Sequence, residues 1–491
     1  MPIIPRFRLR QDDLFVFVDI ETPYLRVNET TTEIHVDETE FSFYCKPYLL
    51  RLSFPAPFLD DEQCKATFHP DVMNGLVTCH LKKATQGEDF KDLDLLTNLM
   101  TPKSAKCPRR LDHVPLIQEL DAADELDPTE NVDPTVDEDP LPELLTHTYG
   151  FNRQYSGLFL AGEVAAEVFE GGEMERLLPH RRMVRLEREQ RDFDVGRYVG
   201  DFLGVEEDHV YAEAVGMTTF WGDPNADLSV AFSEREKETL LRLRPKRLLV
   251  QPNSKAQRRL LLNLIDLLFA ITYDYRLTQG EHTVDSAANI ARLSVNLSWL
   301  DSFESDDSYQ TVIVQCLRRS LIYPYIRFWE YSLLVLNDVI QLLELGRRDV
   351  LKMLLYAYFI FDHTEFFYLF NKSFLDDYCV WIQQIDELQV RSIARDVKGV
   401  MVELNKQELC LNLVEIENAA LSITEEMDEG TFEKLHPIAS GDLLRLLYEK
   451  TEGSDSGLTP ISEVLTAMKL KDNLSIDEIS EDMNALRVSG I

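Results

Sequence analysis

The sequence predicts a multidomain protein, an N-terminal all-β sandwich followed by a large all-α domain. Three observations carry that prediction. Short apolar/polar alternations recur through the first hundred residues, and long apolar runs at helical spacing fill the chain beyond residue 149. Between them lies an acidic, proline-punctuated stretch, Asp112 to Glu143, with no Lys or Arg. The 491 residues allow two or three domains, and 45% hydrophobic residues supply a substantial core. The boundaries read as a sandwich over 1–103, a linker over 104–146, a helical domain over 147–430 and an acidic, mostly flexible tail over 431–491.

In the first domain, Leu14 to Ile20, Glu33 to Val36, Glu40 to Tyr44, Leu49 to Phe54 and Leu76 to Leu81 read as strands. Pro55 and Pro57 stop the fourth, and Asn74-Gly75 is a turn feeding the last. Short strands at this spacing favour a sandwich. Helix is not expected until Asp94-Leu95-Leu96. Tyr44, Lys46 and Tyr48 form a candidate partner face, weighed against plain aromatic packing at a sandwich edge.

The linker carries Pro115, Pro128, Pro134, Pro140 and Pro142 among its acids, a composition that self-repels and cannot build a core. Helical patterns follow. Glu163 to Phe169 is short and amphipathic, and Arg181 to Arg191 reads as a solvated helix laced with i,i+4 pairs. Ser233 and Glu236 spell a capping box. Leu260 to Ile271 is apolar on more than one face, which predicts burial nearly all round. Gly280 ends that helix, and a second, small-residue helix starts near Thr283. Pro324 should kink or restart a helix over Val312 to Trp329. Tyr331 to Leu345 and Val350 to Phe361, joined through Gly346, form an αα-hairpin. Tyr378 and Trp381 read as core, and Lys398 to Glu426 as a final helical region.

Net charge is −36, so phosphate backbones are not the expected partner and a basic protein surface is. Seven scattered cysteines, with no CxxC and no Cys/His cluster, argue against zinc and for reduced thiols in an intracellular compartment. The start has no apolar signal, and Met353 to Phe361 is too short to span a membrane. GxxxxGK[ST], GxGxxG and HExxH are all missing. The chain is therefore expected to be a soluble non-enzyme, monomeric, without metal or cofactor.

Several segments resemble the Shq family. The most specific is Asp376-Asp377-Tyr378-Cys379-Val380-Trp381-Ile382-Gln383. Others are Tyr273 to Glu281, Asp285 to Ser294, Ser298-Trp299 and Arg197 to Leu203. Pro23 to Val27, Phe43 to Leu52 and Leu93 to Leu99 are similar to that family's N-terminal CS domain, a seven-stranded sandwich related to heat-shock co-chaperones. The resemblance implies an assembly chaperone for box H/ACA ribonucleoproteins. Its client would be the dyskerin-type pseudouridine synthase, held free of RNA in the nucleus (nucleoplasm) and cytoplasm, with release by RuvB-like AAA+ ATPases. The acidic end of the helical domain is the expected client face: Glu415, Glu417, Glu425, Glu426, Asp428 and Glu429. Alternatives are a CS-type co-chaperone or scaffold for other clients, and an enzyme using a pocket in the helical domain.

Overall fold

The computed structural model describes residues 3–23, 32–59, 65–69, 75–101, 148–159, 168–169, 181–205, 208–222, 231–246 and 250–426. The expected linker and tail lie outside them.

Among the described residues, seven strands pack as two antiparallel sheets: β1 (Phe7–Gln11), β2 (Phe15–Glu21), β3 (Glu33–Asp37), β4 (Glu40–Cys45), β5 (Tyr48–Ser53), β6 (Lys65–His69) and β7 (Leu76–Lys82). One sheet runs β1-β2-β7-β6 and the other β3-β4-β5. The period of two is visible in β2, where Val16, Val18 and Ile20 are buried and their neighbours are half-buried. Phe41, Phe43, Leu50 and Leu52 answer from the facing sheet. Register pairs Val18 with Cys79 and Phe43 with Leu50. Two strands, β1 and β6, escaped the sequence reading. Both are edge strands with largely exposed residues, so they carry little apolar alternation. Gly75 turns into β7 at φ +127°, where a Cβ would lie 2.6 Å from the Thr22 carbonyl oxygen.

A short helix, α1 (Leu96–Met100), closes the sandwich and buries Leu96, Thr97, Leu99 and Met100. The helical region follows with α2 (Arg181–Asp192), α3 (Val195–Gly204), α4 (His209–Gly216) and α5 (Glu234–Arg242), the last opened by the Ser233–Glu236 capping box. The centre is α6 (Lys255–Leu277), in which every residue from Leu262 to Asp274 is buried. Around it stand α7 (Ser286–Leu293), α8 (Val295–Ser298), α9 (Tyr309–Ser320), α10 (Trp329–Leu345) and α11 (Arg347–Asp362). Asp266 of α6 accepts from the Val295 and Asn296 amides, at 3.1 Å each, and so ties the hairpin partner to the core helix.

Between α10 and α11 the chain turns at Gly346, φ +120°, where a Cβ would overlap the Glu387 carboxylate. Next come α12 (Tyr368–Phe370), a π-helical turn (Asn371–Leu375) and α13 (Asp376–Ile382). The strap around Gly150 packs on that turn, so close that a Cβ there would sit 2.4 Å from the Ser373 carbonyl oxygen. Tyr378 and Trp381 are buried against Phe151, as core residues.

Three expectations need correction. Arg181 to Arg191 is a helix, but its i,i+4 pair Arg185–Glu189 is fully buried. The helix expected to run through to Trp329 ends at Ser320 and helix restarts at Trp329, so Pro324 lies in a break and not at a kink, where the residue before a proline disfavours helix. Lys398 to Glu426 is not one stretch. It divides into α14 (Glu387–Glu403), a 3-10 turn (Lys406–Leu409) and α15 (Leu413–Glu426). Cys410 and Asn412, both at φ +54°, make the break.

Candidate partner interface

One set of sequence-selected partner residues lies on the sandwich, and of the other Glu415, Glu417, Glu425 and Glu426 lie on α15, with Asp428 and Glu429 outside the described residues. On α15, Glu417 is already occupied. It accepts from the Tyr198 hydroxyl at 2.6 Å and from Lys406 Nζ at 2.7 Å on both oxygens. It is thus a staple joining α15, α3 and the 3-10 turn. Burial and then Glu417 push the Tyr198 hydroxyl far above its ordinary pKa, which keeps it a proton donor. Glu415 is half-buried on the same helix. Glu425 and Glu426 end α15, with side chains outside the described set, and Asp428 and Glu429 lie beyond it.

On the sandwich, Tyr44 and Tyr48 do not share a face. Tyr44 is exposed opposite Leu49 on the outer side of β4, whereas Tyr48 follows the parity of Leu50 and Leu52 and packs on the core rim. Lys46 is exposed in the turn between the two strands.

The sequence reading missed how the sandwich meets the helical body. Asp92 and Asp94 precede α1 and pair with Arg347 and Arg348 at the start of α11; one Arg348–Asp94 bond measures 2.5 Å. Thr97 Oγ1 donates to the Leu240 carbonyl at 2.6 Å, and the Gln383 amide oxygen accepts from Asn98 N at 3.2 Å. Along β1, Arg6 and Arg8 reach Glu238 and Glu234 of α5. The signals were present as Asp92-Leu93-Asp94 and Arg347-Arg348, but nothing in a sequence ties 92 to 347.

A second, buried set joins α2 and α9. Glu189 receives Arg319 at 2.6 Å, Arg185 at 3.1 Å and Arg318 at 3.2 Å. Burial alone would raise its carboxyl pKa, but the three guanidiniums hold it below the ordinary value. Elsewhere burial wins. Asp274 is pushed up to about 6 by desolvation, against weaker help from Ser286 and Asn289. Asp376 is also pushed to about 6, by burial and then by neighbouring Asp377. Asp377 itself takes Lys246 and the Tyr155 hydroxyl. These contacts hold helices and straps in place.

Among the described residues, no group of three or more His, Cys, Asp or Glu could hold a metal ion. The described cysteines are free thiols, and burial pushes Cys79 up to about 12. No described helix is long and apolar enough to cross a membrane.

Comparison with known proteins bears on the whole arrangement. The family model "SHQ1 protein, Shq1 domain" matches residues 222–413, and "SHQ1-like, CS domain" matches 4–100. A Protein SHQ1 homolog from Xenopus tropicalis is 31% identical over 448 residues, 87% of this chain and 71% of that protein. This chain belongs to the SHQ1 family. Protein shq1 of Schizosaccharomyces pombe is 32% identical, covering 84% of this chain and 96% of its own length. A Danio rerio SHQ1 homolog is likewise 32% identical over 86% of this chain. In this SHQ1-family chain the CS match coincides with the seven-stranded sandwich and α1, and the Shq1-domain match runs from Gly222 to the first residue of α15.

Proposed function

We propose that this chain is an assembly chaperone, not an enzyme. It holds an RNA-free dyskerin-type pseudouridine synthase during box H/ACA ribonucleoprotein (snoRNP) assembly, working as a monomer in the nucleoplasm with a cytoplasmic pool. Membership of the SHQ1 family carries the reading. The charge supplies a mechanism. A protein of net charge −36 is drawn to a basic RNA-binding groove, speeds its own association and blocks nonspecific RNA. Release then requires work, for which a RuvB-like AAA+ ATPase is the proposed source. No metal or cofactor takes part.

The acids available for the client are Glu415, Glu425, Glu426, Asp428 and Glu429, since Glu417 is held by Lys406 and Tyr198. The test is stopped-flow association of the full chain with purified synthase at two ionic strengths. Reversing Glu425, Glu426, Asp428 and Glu429 to Lys should slow association roughly tenfold at low salt and flatten its salt dependence. Guide RNA should compete with the parent chain. An unchanged rate moves the client face elsewhere, and simultaneous binding of RNA and chaperone to one synthase surface ends the shielding idea.

The exposed Tyr44 and Lys46 favour a second reading, in which the sandwich recruits another partner as a CS-type co-chaperone or scaffold. Pull-down with Tyr44→Ala/Lys46→Glu separates the two. Loss of a partner other than the synthase supports the second reading.

A further inference from the structure

The sandwich is joined to the helical body by more than the chain between them. Across the two regions the buried apolar side chains form one contiguous cluster. Two modules connected only by a linker would each close a core of their own. The bridge is α1. Its Leu96, Leu99 and Met100 are buried, and the helix packs at once on β5 of the sandwich and on α5 of the helical body. Thr97, buried beside them, gives its hydroxyl to the Leu240 carbonyl of α5. Around this wedge the polar contacts reach three helices. Arg6 and Arg8 meet Glu238 and Glu234 of α5, Asp92 and Asp94 meet Arg347 and Arg348 of α11, and Asn98 meets Gln383 at the end of α13. Arg347 holds both sides, since besides Asp92 it donates to the Gln383 and Ile385 carbonyls at 3.2 Å each. Contacts to three elements fix an orientation as well as a position.

The acidic stretch, for its part, has no distance to bridge. A chain of 46 residues, 102–147, extends to about 150 Å at most. Yet the residues on its two sides return to α13, a helix about 10 Å long. On one side Asn98 N donates to Gln383 Oε1 at 3.2 Å. On the other, Phe151 lies edge-on to Tyr378 with ring centroids 4.9 Å apart, and the Tyr155 hydroxyl donates to Asp377 at 2.8 Å. A connection whose two ends rest on one short helix does not set where the sandwich sits. The seam does.

We propose that the sandwich is a fixed part of the helical body, wedged by α1 and latched by the Arg348–Asp94 pair, and that it stays bound when the chain between them is cut. Anything the sandwich recruits is then held at a set place relative to α15, not at the end of a tether. A partner that needs Arg347, Arg348 or Gln383 must first displace the sandwich. The proposal rests on the seam alone and is independent of the client reading above.

The test uses the full chain with a site-specific protease sequence placed after Asp127, cut once the protein has folded. At about 1 μM and low salt, sedimentation velocity of the nicked protein should show one particle with the mass of the uncut chain. Arg348→Asp sets a third carboxylate against Asp92 and Asp94, and should raise the concentration at which the halves part by at least about tenfold. Asp94→Arg, made from the other side of the seam, should do the same. Combining the two should bring that concentration back within about threefold of the parent, because the pair is swapped and not removed. Denaturant unfolding of the uncut variants, and the recovery in the combined variant, separate a loosened seam from a failure to fold. Halves of the parent that separate at about 1 μM, or an association that neither reversal weakens, would overturn the proposal.

Discussion

Two Arg–carboxylate clusters, built from the same groups, have opposite consequences. Glu189 with Arg185, Arg318 and Arg319 lies inside the helical body, its side chain 0% exposed. Asp92 and Asp94 with Arg347 and Arg348 lie at the seam between sandwich and helices, each about a quarter exposed. In the first, water cannot replace a lost partner, so each member depends on the others. In the second, water and salt compete for every charge. The buried cluster is therefore a condition of the fold, and the seam a tunable joint.

The sharpest way to break that contrast is Glu189→Ala. It strands three buried guanidiniums and should cost about 3–5 kcal/mol, read by denaturant unfolding. A loss under 1 kcal/mol would mean that water reaches the cluster and the contrast fails.

Asp274 isolates burial without an arginine partner. Its carboxyl, raised from 3.8 to about 6 in the folded state, disfavours folding above pH 6 and not below pH 4. Asp274→Asn should therefore stabilise the protein at pH 7.5 by roughly 2 kcal/mol. The gain should shrink as pH falls through 6 and vanish near 4. A gain independent of pH would assign the effect to packing instead.

Glu417→Gln tests the half-buried case. Losing the Lys406 pair while keeping the shape should cost about 1–2 kcal/mol, measured by thermal melting at low and high salt. The smallest effect belongs to the seam. Asp92→Asn/Asp94→Asn should lower global stability by under about 1 kcal/mol, yet speed amide exchange in α1 and make it salt-insensitive. A large global loss would show that the seam is part of one cooperative core.

Much of the fold was legible because its elements are strongly patterned. The core strands alternate, α6 is apolar all round, and Ser233 with Glu236 caps α5 as spelled. The edge strands β1 and β6 were not legible, since an edge buries too little to impose alternation. The candidate site was legible only in part. An acid at 417 looks free in a sequence, and the partner that occupies it comes from 11 residues away, with a second from 219.

What the sequence determined alone is local: period, caps, the glycine at 346, the separation of a β region from an α region, and the net acidic charge. Tertiary structure decided which charges are spent inside. Arg185 and Glu189 read as a solvated i,i+4 pair until α9 brings Arg318 and Arg319 against them. Tyr44 and Tyr48 read as one surface until the pleat turns them to opposite sides. A charge or ring acquires its role from the dielectric and the neighbours around it, and those include residues a hundred or more positions away, as for Glu189 and Arg319.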